Sequence, residues 1–182
     1  MLTLFILIFI GTGFYVGYQR GLALQLVYTG GYFISFLAAK ANYLSLGRKL
    51  TLLIPYPAPT EETKLVFFNK NLVFEMDKAF YAAFAFVAIL FIGWAVTRFI
   101  GIFFYKLSFT ALLSRDNDLF GGILNTIIVI IGLTIFLTMM AMIPIPYIQQ
   151  LFQKSGPARL LVEHTPIISK QLTHWWITKT IM

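Results

Sequence analysis

The side chains of this chain that could do chemistry are few and scattered. Its seven acids, Glu61, Glu62, Glu75, Asp77, Asp116, Asp118 and Glu163, all fall between apolar runs and never inside one. Proton- or sodium-coupled carriers keep ionisable groups at membrane depth, so this placement argues against them. His164 and His174 have only Glu163 beside them, which is no metal-ligand spacing. Ser155 precedes Gly156-Pro157 with no base nearby, and reads as a cap or turn between helices rather than a nucleophile. There is no cysteine, which excludes disulfides and thiolate chemistry. No catalytic constellation assembles. The expectation is a protein without enzymatic activity, cofactor or metal.

Two polar residues stand out against this background. Arg20 is the only charge in the first 39 residues. It reads as a topology determinant at a hairpin turn, or as a fixed charge at the mouth of a path. Asn125 lies about one turn inside the last apolar run, where an amide needs a hydrogen-bond partner on a neighbouring helix.

The elements that position these residues are set by composition. Of 182 residues 59% are hydrophobic and only 12% charged, with a mean hydropathy of +0.81. A soluble domain of this size carries roughly 25% charged residues, so most of this chain is built to face lipid. Four transmembrane helices are expected, over residues 2–17, 22–39, 79–96 and 119–143. The net charge of +7 is dispersed through loops, which suits anionic lipid headgroups and offers no stripe to track nucleic acid. The fold class is therefore an all-α membrane protein, a single membrane domain over 1–182.

A single helix over 2–39 would be about 57 Å long, far more than a bilayer needs. A tight hairpin is expected instead, with Gly17 and Gly21 permitting the reversal and Arg20 at its corner. Residues 40–50 suit an interfacial helix, and Pro55, Pro57 and Pro59 then impose an extended stretch. Asn117 or Asp118 is placed to cap the fourth helix, and Pro144 with Pro146 ends it. The tail, 147–182, is expected to be amphipathic and interfacial, with Gln149, Gln150 and Gln153 on its polar face. Trp175 and Trp176 are expected at headgroup level.

Small residues recur at four-residue spacing: Gly13, Gly17 and Gly21, then Gly93, Thr97 and Gly101, with Gly121 and Gly122 opening the fourth helix. Such stripes let helix backbones approach closely.

The stretches "GFYVGYQRGLALQL" at 13–26 and "RDNDLFGGILNTIIVIIG" at 115–132, with the tail 148–169, resemble the colicin V production protein family (CvpA) in its Gram-positive form. One departure is Asn125, where the pattern leads us to expect glycine. The resemblance implies a bacterial cytoplasmic (inner) membrane protein required for making or exporting a peptide toxin, with roles in envelope homeostasis. It is expected to sit in the lipid bilayer and to act through a partner among other membrane or export proteins, or as a homo-oligomer forming a small pore. A stand-alone transporter of small solutes or lipids and a purely structural scaffold are the alternatives. Ten basic residues in the 40–78 loop and the tail, against Arg20, Arg98, Lys106 and Arg115 on the other side, favour termini inside. Relatives in which a similar unit precedes an extracytoplasmic protease domain imply termini outside, which is the orientation adopted here.

Overall fold

The computed structural model describes residues 1–60, 63–113 and 116–181. Glu61, Glu62 and Arg115, counted above among the loop charges, and the side chain of Lys70 lie outside the described residues. No strand occurs among the described residues, and three helices are long and apolar enough to cross a membrane. Helix is the economical state for such sequences, because it satisfies each backbone N–H and C=O within one segment.

Helix α1 (Leu2–Leu50) has 49 residues and is interrupted at Gly21, whose φ of 69° and ψ of 167° no helix contains. Those angles lie in a region essentially reserved for glycine. The break divides α1 into a first leg, 2–20, and a second leg, 22–50. Ile6 on the first leg packs with Leu133 and Leu137 of α3 (Asn117–Ala141). Ala39 and Tyr43 on the second leg share a cluster with Ile135 and Met139. Both ends of α1 thus return to the same end of α3, so the two legs form an antiparallel hairpin. The reversal falls on Gly21 alone, while Gly17 stays helical. Residues 40–50 are helical too, but they continue the second leg without a break.

Helix α2 (Met76–Phe103) packs against the second leg, with Gly47 against Tyr81 and Ala82 and Tyr43 edge-on to Phe86. Its outward residues, Phe91, Ile92, Phe99, Ile102 and Phe103, are exposed and apolar, as a lipid-facing surface requires. A 3₁₀ segment (Tyr105–Phe109) then leads across the hairpin corner towards α3.

The tail does not lie apart from the bundle. Helices α4 (Pro146–Gln153), α5 (Gly156–His164) and α6 (Ile168–Thr173) fold back along it, and α6 runs on through a π-helical turn (His174–Thr178). Ser155 does cap α5, accepting from the Ala158 N–H at 3.3 Å, and it also bonds the Thr3 hydroxyl at 2.9 Å. Trp175 and Trp176, expected at the headgroups, are buried against Phe86, with Trp176 fully enclosed. Both indoles fill the seam between α2 and the second leg, where Tyr43 donates to the Trp175 carbonyl. Gln149 is likewise buried rather than on a wet face. Its Nε2 donates to the carbonyls of Ala141 (3.1 Å) and Ile143 (2.8 Å), and its Oε1 accepts from the Val66 N–H (3.0 Å). One side chain therefore satisfies the last carbonyl of α3, at Ala141, and that of Ile143 just beyond the helix.

Candidate functional site: a polar chain beneath the hairpin corner

The first leg and α3 touch backbone to backbone. A side-chain carbon added at Gly17 would strike the Gly121 carbonyl and Asn125, and one at Gly13 would lie 2.7 Å from Val129. Gly21 faces Asn117, and Gly122 faces the Phe14 ring. The second stripe serves the other seam: Gly93 lies against Ser35, Thr97 against Gly31, and Gly101 against Tyr28. Where Cβ atoms are missing, dispersion contacts between helix backbones take their place.

This close approach brings Asn125 within reach of the hairpin. Its Nδ2 donates to the Gly13 carbonyl at 2.6 Å, and its Oδ1 accepts from Gln25 Nε2 at 3.0 Å. Gln25 Oε1 in turn accepts from Arg20 at 3.3 Å. The result is an unbroken series from the corner charge to the interior, Arg20 to Gln25 to Asn125 to the Gly13 backbone, with both amides buried. The Gly13 carbonyl is reachable because nothing projects from that residue. Sequence reasoning marked Arg20 and Asn125 but passed over Gln25. The available signal was that Gln25 is also an amide inside an apolar run, five residues after the arginine.

Asn117 and Asp118 do not cap α3. The boundary residue is Asp116, whose own side chain makes no capping bond, and no other side chain among the described residues accepts from the first turn. Asn117 instead accepts from the Leu112 N–H at 3.0 Å and donates to Asp118 Oδ1 at 3.2 Å, pinning the connection from α2 beside Gly21. The geometry explains the change: Asn117 is already the first helical residue, one position too late to cap.

Arg20 is partly buried, its guanidinium lying over Tyr28 with 4.1 Å between its central carbon and the ring centroid. Among the described residues no three His, Cys, Asp or Glu side chains gather as a metal site would need.

These features define an all-α membrane protein whose helices are locked by glycine seams and interhelical amide bonds. The chain belongs to the colicin V production protein family, whose model matches residues 2–166. It is similar to YshB of Bacillus subtilis (strain 168), described as an uncharacterized transmembrane protein, with 27% identity over 179 residues and 97% of each chain covered. No solved structure matches the chain.

Proposed function

We propose that this is a multi-pass protein of the bacterial cytoplasmic membrane, crossing it four times, that serves toxin production or export and envelope homeostasis without enzymatic activity. It acts through a partner or as a small oligomer rather than as a carrier on its own. The observation that carries this reading is the seam between the first leg and α3. Gly17, Gly121 and Asn125 meet there in direct contact, and the amides at that level are engaged with one another. A conduit along this seam would need the contact opened and those bonds broken. Family membership supports the cellular role, as does a relative described as a transmembrane protein.

Reconstitution tests the mechanism. Proteoliposomes of the purified chain should carry no solute or lipid flux, and a second membrane protein should copurify from its own host. Robust flux by the chain alone would sink the proposal. Reporter fusions at the C-terminus and within residues 56–60 test the orientation. With termini outside, the C-terminal fusion reports from the extracytoplasmic side and the loop fusion does likewise. A cytoplasmic signal at both positions overturns that orientation, and opposite signals overturn the four crossings.

A further inference from the structure

Two guanidinium groups share one aromatic ring at the hairpin corner. The central carbon of Arg20 lies 4.1 Å from the Tyr28 centroid, and that of Arg98 on α2 lies 5.7 Å from the same centroid and 5.4 Å from Trp94. Tyr32 stacks on Tyr28 with ring centroids 6.1 Å apart. Cation–π attraction holds each charge against an apolar wall but neutralises neither.

Neither arginine is paired with a carboxylate among the described residues, where the ion pairs join Lys78 to Glu75 and His164 to Glu163. Asp118, the acid beside Gly21, accepts from Asn117 and makes no ion pair with either arginine. Arg20 spends one donor on Gln25, and a guanidinium has five. Arg98 is exposed, as are Trp94, Tyr105 and Lys106 nearby in the chain. Aromatic and basic residues mixed in this way are characteristic of the headgroup level of a bilayer.

Like charges held together repel unless an anion lies between them. The guanidinium fork matches the oxygen geometry of a phosphate, and it binds that group bidentately. At a membrane surface the abundant phosphate is that of a lipid. We propose that Arg20 and Arg98, held on Tyr28, bind the phosphate of an anionic glycerophospholipid headgroup at the hairpin corner. This rests on the chain lying in a membrane and not on the role it serves there.

The full-length chain, purified in detergent, is offered phosphatidylglycerol, phosphatidylcholine or inorganic phosphate, and bound ligand is counted by native mass spectrometry. Phosphatidylglycerol should be retained in preference to phosphatidylcholine. Arg98→Gln and Arg20→Gln should each lower its retention about fivefold, the worth of one basic residue near an anionic surface. Lys49→Gln, far along the second leg, should leave retention unchanged. Arg20 sits in the turn and its variant can fail to fold; Arg98 is exposed, so its variant keeps the test open. Equal retention of phosphatidylglycerol by wild type and Arg98→Gln overturns the proposal. Arginine-dependent binding of inorganic phosphate without a preference for phosphatidylglycerol also overturns it, by assigning the site to a soluble ligand.

Discussion

Gln25 and Asn125, a hundred residues apart in sequence, bond amide to amide at 3.0 Å in the interior of the bundle. Each also holds a second partner: Gln25 accepts from Arg20, and Asn125 donates to the Gly13 carbonyl. Removing either amide therefore leaves more than one group unsatisfied. Asn125→Leu should destabilise the protein by about 1–2 kcal/mol, the range for interhelical amide bonds in membranes. A double-mutant cycle with Gln25→Leu, read by denaturant titration in detergent micelles, should show a coupling of about 0.5–1.5 kcal/mol. Strictly additive effects would refute a direct bond.

The glycines separate into those in contact and those in open space. Gly17→Val drives a branched side chain into the Gly121 carbonyl and should cost at least about 2 kcal/mol or prevent hairpin closure. Gly11 and Gly132 have nothing within 4 Å, so alanine there should be neutral or stabilising by up to about 1 kcal/mol. Monodisperse yield on size-exclusion chromatography distinguishes the two sets. A well-folded Gly17→Val protein would refute the seam.

Gln149 serves three backbone groups at once. Gln149→Leu keeps the volume and removes every bond, which should lower stability by about 2–3 kcal/mol. Gln149→Glu should be harmed as well, because a carboxylate cannot donate to the two carbonyls. Tolerance of the glutamate variant at neutral pH would show that the carbonyl bonds matter little.

Trp176 is the largest side chain with no exposure, yet its indole N–H finds no acceptor among the described residues. Trp176→Phe keeps an aromatic ring, though a smaller one, and deletes that unpaired donor, so it should cost less than Trp176→Ala, for which about 3–5 kcal/mol is expected. Thermal unfolding of both variants checks the order. Equal losses would mean that a phenyl ring recovers none of the packing made by the indole.

Tyr56 lies in the connection between α1 and α2, where its phenol donates to the Met142 carbonyl at 2.7 Å. Burial, helped by the nearby Asp77 carboxylate and Tyr81, pushes its pKa well above the usual phenol value. The neutral phenol is thus the form that the fold favours. Its stabilising contribution is complete below the unfolded value of about 10 and declines as pH rises beyond it. Stability of wild type relative to Tyr56→Phe should hold between pH 7 and about 9, then fall above about pH 10. A constant difference to about pH 11 would contradict this.

Much of the hairpin was legible because its signals are local. Gly21 and Arg20 between two apolar runs mark a reversal, and Pro144 and Pro146 stop α3. Asn125 was legible as an amide needing a partner. What sequence could not supply was the identity of the interior. In lipid a helix is apolar on every side, so periodicity does not distinguish a face that meets protein from one that meets acyl chains. Trp175 and Trp176 show the consequence: composition suggests a level in the bilayer for such residues but no partner, and it is the tail's return path that packs them against Phe86, with Lys40 Nζ 4.9 Å from the Trp175 centroid. The helical spacing of Tyr147, Ile148, Leu151 and Phe152 puts Gln149 on the opposite, polar face, whereas the carbonyls of Ala141 and Ile143 draw it inward.

The single-residue junction at Gly21 also bears on how the chain enters the bilayer. No polar loop separates the two legs, and the corner carries only Gln19, Arg20 and the turn itself. If both legs cross the bilayer, as proposed above, the absence of a polar loop favours their partitioning as a pair rather than one after the other.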